Sequence, residues 1–88
     1  MELVEQWSIE LFLVEDDGRT RATARLHTRD TQLTGVGHAR CNPRDADIPE
    51  IGEELAAARA LNDLAHKLFD ATVGDIEAVT HHPAAVRP

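Results

Sequence analysis

The chain has 88 residues, 42% of them hydrophobic, with sixteen acidic side chains against nine basic ones and a formal net charge of -7. One cysteine excludes an internal disulfide, and no apolar run reaches the roughly 18 residues of a membrane span or the 7–15 of a secretory h-region, so a cytoplasmic protein is expected. A chain this short makes a single domain, residues 1–88, that buries only about 60–65% of its unfolded surface, and the aromatic supply for its core is limited to Trp7, Phe12 and Phe69.

In chain order, QWSIELFLV (6–14) alternates, with Trp7, Ile9, Leu11 and Leu13 on one face and Ser8, Glu10, Phe12 and Val14 on the other, which predicts a strand. EDDG (15–18) follows. Asp17-Gly18 accepts the positive φ angles of a type I′ turn, so a hairpin is expected here. A second strand, 19–29, places Thr20, Ala22, Ala24, Leu26 and Thr28 toward the core and an arginine row outward. QLTGVGHAR (32–40) gives a third strand after a tight Asp30-Thr31 connection. Its core face holds Leu33, Gly35, Gly37 and Ala39, and glycine at alternate positions implies a close approach by a helix.

CNPRDADIP (41–49) reads as a loop. A helix over 49–73 follows, with Asp47 as cap, Pro49 in its first turn, an apolar stripe of Ile51, Leu55, Ala58, Leu61, Leu64, Ala65, Leu68 and Phe69, and Gly74 as its stop. A short second helix over about 75–80 and a tail at 81–88 complete the chain. The expected fold class is therefore α+β: a three-stranded antiparallel meander packed on one long C-terminal helix plus a short second helix.

The first hairpin has two admissible registers. A two-residue loop sets Glu10 opposite Arg25 and Phe12 opposite Thr23, whereas a four-residue loop sets Phe12 opposite Arg21. Both keep the same faces. With Asp30-Thr31 as the second loop, Arg25 meets Val36 and Arg21 meets Arg40, a like-charge pair that calls for an acid from elsewhere.

The charge is segregated: residues 1–18 carry -6, 19–44 carry +5 and 45–88 carry -6. The candidate surface is therefore the outer sheet face, with Arg21, Arg25, His27, Arg29 and Arg40 beside Phe12 and Val36. Arginines on a strand can contact phosphates, but the acidic flanks and the want of stacking aromatics argue against direct nucleic-acid binding and for pairing with carboxylates at an interface. His27 and His38, on neighbouring strands, are the best-placed histidines for a metal, yet nothing at ligand spacing completes a site. Asp63 and His66 form an ordinary i, i+3 helix pair. With one serine and little room for a pocket, no catalytic residue and no cofactor is expected, and the chain reads as non-enzymatic.

The blocks GRTRATARL (18–26), LTGVGHAR (33–40), PEIGEELAAARALNDLA (49–65) and DIEAVTHHPA (75–84) together resemble a small actinobacterial family of unknown function. That resemblance implies a fold similar to the double-stranded RNA-binding domain without its first helix. It also implies a homodimer exchanging C-terminal elements, and a link with dormancy, stress and ribosome hibernation. It supplies no binding or catalytic residue. The lysine cluster that opens the last helix of that RNA-binding domain is replaced here by the acidic DADIPEIGEE. The expected partners are a second copy of the chain and a protein partner or the ribosome, with no membrane.

Overall fold

The computed structural model describes residues 1–41 and 48–88. Three strands, β1 (Ser8–Asp16), β2 (Arg19–His27) and β3 (Gln32–Arg40), form an antiparallel sheet in the order β1-β2-β3, and one helix, α1 (Pro49–Thr80), lies across one face. The fold class is α+β, as the alternation and the helical periodicity require.

The β1–β2 turn is the two-residue one. Asp17 and Gly18 both have positive φ, 50° and 71°, the conformation that matches the twist of the flanking strands. It sets Glu10 opposite Arg25 and Phe12 opposite Thr23. The β2–β3 connection differs from expectation. His27 pairs with Gln32, and Thr28–Thr31 form a four-residue turn in which the Thr28 amide donates to the Thr31 carbonyl (2.9 Å) and the Thr31 amide to the Thr28 hydroxyl (3.0 Å). The threonine hydroxyl gives the backbone a local partner, which ends the ladder early. Register shifts by two residues. Arg25 therefore faces Thr34 rather than Val36, Arg21 faces His38, and Arg40 faces Arg19. Arg29 lies in the turn, not in β2.

The core is built from small residues. Ala22, Ala24, Leu26, Ala39, Ala56, Ala60 and Leu64 are buried, with Leu33 and Leu68 packed against them. Gly35 and Gly37 explain why. A Cβ on Gly35 would collide with the Ala60 carbonyl and sit 2.5 Å from the Leu64 nitrogen, and one on Gly37 would strike Ala56 and Ala60 backbone. The helix therefore touches β3 backbone to backbone, as the alternate glycines implied, with Ala56, Ala60 and Leu64 on its contacting turns. The contact line runs through half-buried Gly52, buried Ala56, Ala60 and Leu64, and half-buried Leu68, so it shares Leu64 and Leu68 with the expected stripe and replaces the rest with small residues. Ile51, Leu55 and Leu61 stand exposed on its flanks.

Helix α1 is one unbroken element, so no short second helix exists and Gly74 does not stop it. An interior glycine costs only about 1 kcal/mol relative to alanine, too little to end a helix by itself. The stop is His81, in the left-handed region (φ 59°), whose amide donates to the Glu77 carbonyl at 2.8 Å, with Pro83 following. At the other end Ile48 occupies the cap position with no side-chain cap bond, and Pro49 takes the first turn as expected. The proposed Asp47 cap and most of the expected loop fall on 42–47, outside the described residues.

Thirty-two helical residues span about 48 Å against about 30 Å for a nine-residue strand, in keeping with molecular dimensions of 53 × 31 × 18 Å. The helix runs antiparallel to β3, so Leu68 is its last turn on the sheet core. About 18 Å of helix, to Thr80, overhangs the β2–β3 turn.

Candidate interaction surface

Strand alternation carries Ser8, Glu10, Phe12 and Val14, then Arg19, Arg21, Thr23, Arg25 and His27, then Thr34, Val36, His38 and Arg40 to the sheet face opposite α1. Phe12, Val14 and Val36 are exposed there. The arginine row does not behave as one unit. The Arg25 guanidinium lies 5.4 Å from the Phe12 ring centroid, a cation–π contact, and its Nε is buried with no hydrogen-bond partner among the described residues. Glu10, although directly opposite Arg25, places its carboxylate 2.7 Å from His27 Nε2. Arg29, out in the turn, reaches Glu5 at 4.0 Å while remaining 81% exposed, a contact of little energetic weight.

Register gathers the remaining cations at the other end of the face. Arg19 opposite Arg40 and Arg21 opposite His38 form a basic cluster in which no ion pair joins any of the four to another described residue. The acid demanded by the sequence for Arg40 is thus not supplied from the described part of the same chain. Arg40 also borders a concavity of about 550 Å³ among the described residues, between the Asp17-Gly18 turn, the end of β3 and the first turns of α1. A hollow of this size was not expected from so short a chain. Half-buried Cys41 lies on its wall, with its amide donating to the Gly18 carbonyl at 2.8 Å.

The histidine pair is not brought together. His38 is opposite Arg21, six residues along β2 from His27, so the two lie about 20 Å apart and cannot share an ion. Asp63 has no acid–base partnership with His66. Its Oδ2 accepts from the Val36 amide at 2.8 Å and stands 3.1 Å from Lys67 Nζ. Those contacts, the backbone bond first and the lysine next, hold its carboxyl below the ordinary aspartate value of 3.8. Arg59 Nη1 donates to the His38 carbonyl (2.7 Å) and Lys67 Nζ to the Thr34 carbonyl (2.6 Å). Sequence reasoning missed this trio. Its signal was the spacing of Arg59, Asp63 and Lys67 at four-residue steps beside the Gly52–Ala60 line, which puts three charged groups along one edge of the helix contact.

The opposite edge of the sheet is bare. All nine residues of β1 are exposed, because α1 lies over β3 and β2. Ile9, Leu11 and Leu13 emerge on the helix side and Phe12 and Val14 on the other, and Trp7, just before the strand, is exposed as well.

The chain is thus a small α+β domain with a backbone-close helix, one sheet edge contacted by helix side chains and one open apolar edge. Residues 5–85 match the sequence model of the Rv2632c-like family, and the chain belongs to that family. It is 49% identical over 82 residues to the uncharacterized protein Mb1767 of Mycobacterium bovis, covering 93% of this chain and 87% of that one. It is 53% identical over 75 residues to the uncharacterized protein Rv2632c of Mycobacterium tuberculosis, covering 85% and 81%. The crystal structure of Rv2632c superposes with a TM-score of 0.84 at 49% identity over 93% of this chain and 98% of that one. The family is therefore one of unknown function with mycobacterial members. Among the described residues no helix is long and apolar enough to cross a membrane.

Proposed function

We propose that the protein is a non-enzymatic, homodimeric interaction module of the cytoplasm, with a fold related to the double-stranded RNA-binding domain lacking its first helix, and that it acts in dormancy or stress through a protein partner. One observation carries this reading. Ile9, Leu11, Phe12, Leu13 and Val14 are each between 41% and 51% exposed on the two faces of β1, and Trp7 just before it is 55% exposed, while the buried core consists mainly of alanine. A chain that spends its large apolar side chains on the surface and its small ones inside is built to be completed by another surface. The missing first helix leaves that part of the sheet open, and the 18 Å helix overhang is an element long enough to be exchanged between subunits. Sedimentation equilibrium is the test: a dimer at micromolar concentration is expected, and a stable monomer overturns the homodimer.

A second reading, a ribosome- or RNA-associated factor of the hibernation type, is favoured by the cluster of Arg19, Arg21, His38 and Arg40. It makes Arg21 and Arg40 the contact residues ahead of Arg25, which is engaged with Phe12, and Arg29. Co-sedimentation with ribosomes at low salt that Arg21→Ala and Arg40→Ala abolish would support it, and absence from the ribosomal fraction would remove it.

A further inference from the structure

We propose that the free edge of β1 is the seam of the homodimer: two copies join antiparallel through Ile9, Leu11 and Leu13, about a two-fold axis at Leu11, into one six-stranded sheet. This rests on the homodimer reading above and names the surface that makes it.

The argument begins at the opposite edge. One outward group on each of three successive outward-pointing residues of β3 is taken by a side chain of its own helix: Lys67 on the Thr34 carbonyl, Asp63 on the Val36 amide and Arg59 on the His38 carbonyl. A strand edge so occupied cannot accept another strand. These contacts also fix the phase of the ladder. In an antiparallel pair, residues point both backbone groups alternately toward and away from their partner. Thr34, Val36 and His38 point away from β2, so Arg25, Thr23 and Arg21, opposite them, point toward β1. Their β1 partners Glu10, Phe12 and Val14 point back. Ile9, Leu11 and Leu13 therefore carry the outward amides and carbonyls of β1, and nothing among the described residues pairs with them. The same three residues carry half-exposed apolar side chains on the helix side, at 50%, 41% and 41%. Open backbone and open apolar surface coincide on one row.

Charge and pattern choose the occupant and its direction. Glu15 and Asp16 close the strand. Parallel addition of a second β1 would stack these acids on their counterparts, whereas antiparallel addition sends them to opposite ends of the seam. With the axis at Leu11, Ile9 meets Leu13 of the second copy, Leu11 meets Leu11, and on the other face Phe12 meets Glu10, so no like charges face each other directly. The operation places both helices on one face of the joined sheet. Since each chain has one open edge and one sealed edge, the assembly closes at two and does not grow into a fibre.

The test uses the full chain carrying Cys41→Ser. Leu11→Cys should oxidise to a disulfide-linked dimer, since its Cα would lie about 5.5 Å from its own counterpart, within disulfide reach. Leu13→Cys alone should link far less, and a mixture of Ile9→Cys and Leu13→Cys chains should form the mixed dimer. In parallel, Leu11→Lys, which replaces an exposed side chain and should leave the far-ultraviolet circular dichroism unchanged, should weaken self-association at least a hundredfold by sedimentation. A wild-type dimer that survives Leu11→Lys and does not crosslink through position 11 overturns the seam while leaving the homodimer standing. A monomeric wild type overturns both.

Discussion

Gly37 and Gly74 show how little residue type says without its surroundings. A methyl group on Gly37 has nowhere to go, because the Ala56 carbonyl and Ala60 nitrogen already occupy its place; Gly37→Ala should force the helix off the sheet and cost about 3 kcal/mol in chemical denaturation. Around Gly74 a new Cβ meets nothing within 4 Å, so Gly74→Ala should stabilise the fold by about 0.5–1 kcal/mol through helix propensity alone. Opposite signs for one substitution, read in the same urea titration, check the packing directly. Asp63 offers a second test. Its carboxyl titrates lower in the folded protein than in the unfolded chain, so the stability it contributes is complete above about pH 3.8 and is lost as pH falls through the depressed value. Asp63→Asn should therefore flatten that part of the acid-unfolding profile while leaving the profile above about pH 5 parallel to wild type.

At the scale of elements, the helix divides in two. Turns containing Ala56, Ala60 and Leu64 are locked against β3 backbone, whereas residues beyond Leu68 extend past the sheet, with Ile76 and Val79 exposed. Amides of residues 70–80 should exchange with solvent at least about tenfold faster than those of residues 56–64, unless a second subunit covers them. Protection there that rises with protein concentration would mark exchange of the C-terminal element. The sheet divides likewise: β3 is sealed by Arg59, Asp63 and Lys67, and β1 is open. The helix length was underestimated from sequence because Gly74 was weighed as a stop when the chain had a better one in His81 before Pro83. The β2–β3 register was missed because Thr28 reads as a strand residue, while its hydroxyl serves a turn.

For the whole molecule, the distribution of charge bears on partners. A field of -7 repels polyphosphate beyond about a Debye length, 8–10 Å, and leaves any basic contact local. If the ribosome reading holds, Arg21→Ala and Arg40→Ala should each lower the slope of log affinity against log salt by about 0.7–0.9, as expected for one phosphate contact apiece, and Arg25→Ala should change it less. Equal slopes in all three variants would mean that the cluster end of the face has no special role.

Local chemistry was enough for much of this fold. Alternation in 8–14 and 19–27 set the strands and their faces, Asp17-Gly18 set the first turn, and the paired glycines of β3 announced a close helix, because each depends on backbone geometry that neighbouring residues dictate. The outer face was legible in the same way, since a two-residue register shift leaves every side chain on its side of the sheet. Tertiary structure decided what depends on distance between segments. The backbone-close helix put Ala56 and Ala60 where it meets the β3 glycines and left Ile51, Leu55 and Leu61 exposed. It set its own charged side chains on the β3 edge, and it covered two strands and left the third bare. Which arginines found partners, and which strand was left to seek one, follow from where that helix lies, and no single stretch of residues encodes its position.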